Sequence, residues 1–179
     1  CTKYISGHND FLGGLVITKD EELSKRMWQY RSMAGTLVDP LSSYLLLRSL
    51  RTYDLRIAKM LENTKKVLTF LERSNSIEVI FYPGSYANNN QAEIANKCLA
   101  HYGSLVSFKV KSDIDLQDRI EGLCSIKMAP SFGSVDTLIE IPLYMSRGED
   151  QSQQTIPLNS MSSILLSKYF CRLSIGCEP

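Results

Sequence analysis

The sequence predicts an α+β architecture, with helices packed on a largely antiparallel sheet, and three patterns carry that expectation. From Asp54 to Arg73 the apolar residues Ile57, Met60, Leu61, Val67, Leu68 and Leu71 recur at three- and four-residue spacing, the signature of one long amphipathic helix. Leu105 to Val110 alternates in the two-residue period of a strand that is buried on one face. Short apolar runs at Ile77 to Tyr82, Thr137 to Met145 and Cys171 to Ile175 are interleaved with helical segments, as in a layered domain. The charges within the long helix, Arg56, Lys59, Glu62, Lys65, Lys66 and Glu72, read as its solvated face.

The remaining elements follow in order. Residues 11 to 17 read as an apolar strand bounded by glycines, and Asp20 to Met33 as a helix whose acidic start suits the positive end of its dipole. Asp39-Pro40 supplies an N-cap followed by a residue suited to the first helical position, so Leu41 to Leu50 reads as a second, largely buried helix. Gln91 to His101 and Leu116 to Leu123 read as further helices. Between Ser146 and Lys168 the composition shifts to serine and glutamine, which predicts a loop.

Composition narrows the function classes. The formal net charge of +1 gives no electrostatic reason to expect nucleic acid or an acidic partner. No apolar run approaches the roughly 20 residues that span a bilayer, and no hydrophobic stretch follows Cys1-Thr2-Lys3 in the manner of a signal peptide, so a soluble, cytoplasmic protein is expected. The five cysteines contain no C-x-x-C pair, and neither His8 nor His101 has partners at metal-ligand spacing. No metal site and no disulfide framework are expected.

The motifs are more specific. The chain opens with Thr2-Lys3-Tyr4, followed by Gly7-His8-Asn9-Asp10 and Gly13-Gly14. Further on come Pro40 with Tyr44-Leu45-Leu46-Leu47-Arg48-Ser49-Leu50-Arg51-Thr52, then Tyr82-Pro83-Gly84, Ser131-Phe132-Gly133 and Arg172-Leu173-Ser174-Ile175-Gly176. In this order they resemble the motifs of the cystathionine γ-synthase, cystathionine γ-lyase and methionine γ-lyase family of pyridoxal-phosphate (PLP) enzymes of cysteine and methionine metabolism. The first resembles the family's S-x-T-K-Y-x-x-G-H-x-D-x-x-x-G and the last its closing R-L-S-[VI]-G. The departure is at Met145-Ser146-Arg147, where the family carries M-T-H-A-S or M-S-Y.

The resemblance implies roles for four residues. Lys3 matches the lysine that attaches PLP covalently and, once released by substrate, becomes a free amine beside the α-carbon able to act as general base. Thr2 matches the hydroxyl that donates to the PLP phosphate. Arg172 matches the arginine whose planar guanidinium grips the substrate α-carboxylate through two parallel hydrogen bonds. Ser131 matches the serine beside the lysine amine that steers it. Asp136 stands where a glutamate is common, a change bearing on the distal group of a thioether substrate. His8 and Asp10 are expected to pack locally, and Gly7 and Gly13-Gly14 to serve as turn residues.

By the same resemblance the fold is α/β, the aminotransferase-like fold type I. Residues 1–53 would form the C-terminal part of a PLP-binding domain and 54–179 an α+β C-terminal domain. The implied substrates are small amino acids (a homoserine ester, cysteine or cystathionine), and the implied assembly is a homodimer or homotetramer. Gly7-His8-Asn9-Asp10 and Ala129-Pro130-Ser131-Phe132-Gly133 resemble the plant-type cystathionine γ-synthases, which implies γ-replacement on an O-acyl-homoserine by a thiol. A cystathionine or methionine lyase, and a catalytically decayed member, remain as alternatives. The family's other cofactor contacts precede the lysine, so residues 1–179 taken alone are expected to be inactive and to expose apolar surface around Leu12, Leu15 and Ile17.

Overall fold

The computed structural model describes residues 1–85, 90–123, 125–145 and 167–179. An extended N-terminal stretch leads into helices α1 (Glu21–Ala34), α2 (Pro40–Leu50) and α3 (Tyr53–Arg73). Then come β1 (Ile77–Phe81), a 3-10 turn, α4 (Asn90–Cys98), β2 (Leu105–Val110), α5 (Leu116–Glu121), β3 (Lys127–Met128), β4 (Leu138–Glu140), the short α6 (Pro142–Met145) and β5 (Phe170–Ser174).

The helix ends follow local chemistry. Asp20 accepts a hydrogen bond from the Leu23 amide (2.9 Å) to start α1, and Gly35, at φ 68°, donates its N–H to the Arg31 carbonyl to end it. Asp39 caps α2 through the Ser42 amide at 3.0 Å, with Pro40 in the first turn. Helix α3 buries Arg56, Met60, Thr64 and Leu71, a stripe that runs at four-residue steps before lengthening to seven.

The five strands form one sheet in the order β1-β2-β5-β4-β3. Three of its pairings are antiparallel and the β3–β4 edge is parallel. Strand β2 alternates as expected, with Val106, Phe108 and Val110 turned inward. These residues meet Leu71 of α3, Leu116 and Ile120 of α5, and Ile139, Cys171 and Leu173 of the sheet in one core. Each fully enclosed aliphatic side chain there, such as Val106, contributes about 1.5 to 3 kcal/mol.

Several expectations need correction. Residues 11 to 17 form no strand: a strand needs a hydrogen-bonded neighbouring strand, and no strand among the described residues pairs with them. Leu12, Leu15, Val16 and Ile17 stand exposed, as the reading of that face anticipated. Helix α2 is not largely buried; Leu41, Tyr44 and Leu47 face outward, and Ser49 is its one buried residue. Arg56 is not on the solvated face of α3 but 6% exposed. Helix α4 stops at Cys98 and α5 at Glu121, each short of its expected end. The two-residue β3 was not anticipated. Apart from Ser167 and Lys168, the expected serine- and glutamine-rich loop lies outside the described residues.

Candidate active site

Three stretches far apart in sequence converge: residues 1–7, 131–137 and 172–178. The first is a coil of turns closed by its own backbone, with the Ser6 amide donating to the Cys1 carbonyl (2.9 Å) and the Gly7 amide to the Lys3 carbonyl (2.7 Å). Gly7 sits at φ 70° and passes its carbonyl to the Val135 amide at 2.9 Å, joining the first stretch to the second. Gly133, at φ 76°, donates its amide to Ser174 Oγ at 2.9 Å, and a Cβ there would stand 2.9 Å from the Tyr4 amide nitrogen. Only glycine combines that backbone angle with so close an approach.

The third stretch locks the second in place. The Cys177 amide donates to the Val135 carbonyl (2.7 Å), and the Glu178 carboxylate accepts from both the amide and the hydroxyl of Thr137. Asn63 of α3 donates to the carbonyls of Gly176 (3.1 Å) and Glu178 (2.7 Å).

Within this frame Lys3 Nζ donates to Ser131 Oγ at 3.2 Å and lies 5.0 Å from the centre of the Phe132 ring. The Arg172 guanidinium lies 5.5 Å from the centre of that ring, so both cations share one aromatic platform. Arg172 forms an ion pair with Glu140, its partner in the β4–β5 register. No carboxylate pairs with Lys3 among the described residues. The lysine and arginine side chains are thus drawn to one patch, with Glu140 held against the arginine.

Of the four residues singled out by sequence, Lys3, Ser131 and Arg172 are brought together around Phe132. Thr2 lies on the adjoining side, where it lines a cavity of about 470 Å³ with Asn9, Phe11, Ser131 and Asp136. Its hydroxyl donates to the Gly13 carbonyl (3.3 Å) and accepts from the Gly13 amide (3.1 Å). Asp10 is engaged locally, as expected, accepting from the Ser6 hydroxyl; His8 Nδ1 is 2.6 Å from the Ser6 carbonyl but also 3.2 Å from Ser49 Oγ of α2, beyond the local packing expected.

Two residues at the site escaped the sequence reading. Glu140 lies on a strand buried throughout, so no alternation marked it. Arg56 reaches the Lys3 turn from α3, and its four-residue steps to Met60 and Thr64 were the signal that it belongs to the buried stripe.

A lysine amine bonded to a serine hydroxyl and free of any carboxylate among the described residues, with an arginine fork on the same platform, suits covalent attachment of an aldehyde cofactor and capture of an amino-acid carboxylate. The sequence model of the Cys/Met metabolism PLP-dependent enzymes matches residues 1–179. The chain is 32% identical over 177 residues to a cystathionine β-lyase of Lactococcus lactis, covering 99% of this chain and 45% of that protein. It is 30% identical over 177 residues to a cystathionine γ-lyase of Bacillus subtilis, with the same coverage. The solved cystathionine γ-lyase of Lactobacillus plantarum superposes with a TM-score of 0.84 at 31% identity, over 99% of this chain and 45% of that one. The cystathionine γ-synthase of Xanthomonas oryzae pv. oryzae does so at 0.82 and 28%, over 99% and 44%. The chain belongs to the Cys/Met metabolism family of PLP-dependent enzymes and has their α/β fold type I architecture. It spans less than half the length of these relatives.

Proposed function

We propose that the protein containing this chain is a PLP-dependent enzyme of sulfur amino-acid metabolism, performing γ-replacement on an O-acyl-homoserine with a thiol. The observation that carries this reading is the Lys3 amine, free of any carboxylate among the described residues, bonded to Ser131 and sharing the Phe132 ring with Arg172.

When bound, PLP supplies an electron sink for the pair left at the substrate α-carbon. Lys3 would hold the cofactor, and its freed amine would take the proton from the substrate α-carbon. Ser131, a donor and acceptor at 3.2 Å, aims that amine. One edge of the Arg172 guanidinium is given to Glu140, and its other N–H groups hold the substrate α-carboxylate. Thr2, whose hydroxyl donates to the Gly13 carbonyl at 3.3 Å, would donate instead to the cofactor phosphate, a charge-assisted bond. Asp136, on the wall of the adjoining cavity, faces the distal group of the substrate.

A second reading, elimination at the carbon–sulfur bond, is favoured by the relatives named cystathionine β-lyase and cystathionine γ-lyase. Supplying the full-length protein with O-acyl-homoserine plus cysteine, and separately with cystathionine alone, separates the two: cystathionine formed in the first assay supports replacement, and keto acid released in the second supports elimination.

Residues 1–53 are proposed as the end of the cofactor-binding domain and 54–179 as the C-terminal domain. The exposed apolar residues between Leu12 and Leu50 favour a homo-oligomer or further chain over that face. A cytoplasmic setting is part of this proposal; no helix among the described residues is long and apolar enough to cross a membrane.

A further inference from the structure

We propose that Arg56 is a positioning residue for Lys3, a guanidinium clamp on α3 that sets where the lysine amine stands; the functional weight of this rests on the role of Lys3 proposed above. The side chain reaches from the first turn of α3 to the backbone immediately after the lysine. Nη1 donates to the Tyr4 carbonyl at 3.0 Å and Nη2 to the Ile5 carbonyl at 2.9 Å. Nη2 also donates to the Ser49 carbonyl at the end of α2 (3.1 Å), and Nε donates to Thr52 Oγ1 (3.3 Å). One planar group thereby ties together the lysine turn, α2 and α3.

Arg56 is 6% exposed and has no carboxylate partner among the described residues; its counter-dipoles are carbonyl oxygens and a hydroxyl. A buried cation so arranged tolerates little displacement, because each acceptor it loses leaves charge without solvent or partner. Burial pulls the guanidinium pKa below its ordinary value, opposed by Cys177 and Tyr53 nearby, consistent with a tight enclosure.

The turn is shaped around this group. The Lys3 carbonyl is taken by the Gly7 amide, and the next two carbonyls go to Arg56, so the three successive carbonyls from Lys3 onward are all engaged. A Cβ at Gly7 would stand 1.9 Å from Arg56 Nη1, which leaves no room for any other residue there while the clamp is in place. Arg56 and the Val135 amide both hold the turn, and from it Lys3 Nζ reaches Ser131 Oγ.

A lysine at position 56 keeps the charge but cannot reach three carbonyls in one plane. The test is the reactivity of the Lys3 amine in the cofactor-free, full-length protein, read by brief reductive methylation and peptide mass mapping as the ratio of Lys3 to Lys19 labelling. In Arg56→Lys this ratio is expected to change at least threefold while far-UV circular dichroism stays native. A general loss of stability would not alter the ratio in a protein still folded. An unchanged ratio in folded Arg56→Lys overturns the proposal. Should that variant not fold, Thr52→Val removes the Nε acceptor and keeps Arg56; the ratio is then expected to shift by a smaller factor, and constancy overturns the proposal equally. Borohydride trapping of cofactor in the wild type is read separately: a label away from Lys3 defeats the cofactor role of Lys3 and leaves the clamp to be judged on amine reactivity alone.

Discussion

Glu140 and Arg172 face one another across the β4–β5 ladder as an ion pair whose acid is almost fully enclosed and whose base reaches towards the Phe132 ring and Lys3. The pairing makes the carboxylate part of the arginine's support. Removing the base strands the acid: Arg172→Met should destabilise the fold by about 3 kcal/mol, the lower range for breaking a buried pair. Combining it with Glu140→Gln should recover part of the loss, since a neutral amide is cheaper to leave unpaired. Urea denaturation of the two single variants and the double variant checks the cycle.

Arg172→Lys keeps a positive charge opposite Glu140 but has no fork. Substrate binding should weaken by about 1.5 to 3 kcal/mol while cofactor binding persists. Titration with a carboxylate-bearing substrate analogue measures it; unchanged affinity would remove Arg172 from the carboxylate site.

Borohydride reduction of the cofactor-loaded protein, followed by peptide mapping, should place the adduct on Lys3 and not on Lys19 or Lys25. In Ser131→Ala the adduct should still form, because attachment needs only the amine. Turnover should fall by roughly tenfold or more, as expected when a proton-transferring group loses its alignment.

Two kinds of information in the chain had different reach. Periodicity was enough for α3 and β2, where packing demands one face, and the acidic start at Asp20 and the cap at Asp39 were enough for the beginnings of α1 and α2. The strand expected over residues 11 to 17 failed because apolar content says that a segment wants cover, not what covers it. Lys3, Ser131 and Arg172 were found as motif matches, yet their convergence on Phe132 depends on Gly133 passing close to Tyr4, a three-dimensional fact with no local signature. Arg56 and Glu140 were misread or missed because charged side chains are ordinarily counted as solvated. The burial of Glu140 becomes evident only once the opposing arginine is in place, whereas the four-residue steps from Arg56 to Met60 and Thr64 already mark its place in the buried stripe.

The N-cap of α2 should report on pH. The Asp39 carboxyl is held below its ordinary value of 3.8, first by the Ser42 side chain and then by the Ser42 amide. Because the folded value is depressed, the stabilisation is present above 3.8 and is lost as the pH falls through the folded value. Asp39→Asn keeps an acceptor without the titration, so its thermal midpoint should vary less than that of the wild type between pH 5 and pH 3. An identical slope in both proteins would count against the cap.

Thiol reactivity should follow enclosure among the described cysteines. Cys98 is exposed, Cys1 and Cys177 are partly covered, and Cys171 is buried with its thiol pushed up by desolvation. A chromogenic disulfide reagent should therefore modify Cys98 in the native protein and reach Cys171 only on unfolding. Fast native labelling of Cys171 would contradict its place in the core.

Strand β5 is the middle strand of the sheet, with β2 on one side and β4 on the other. Backbone amides on such a strand exchange with solvent only when the sheet itself opens, whereas a turn at the chain's surface opens in far smaller fluctuations. Arg172 therefore rides on a strand paired on both sides, and Lys3 on a turn closed by a few backbone bonds and the Arg56 side chain. The proposed grip on a substrate's carboxylate and the proposed placement of the amine fall in regions of unequal persistence, so heating should disorder the lysine turn while the arginine is still in place.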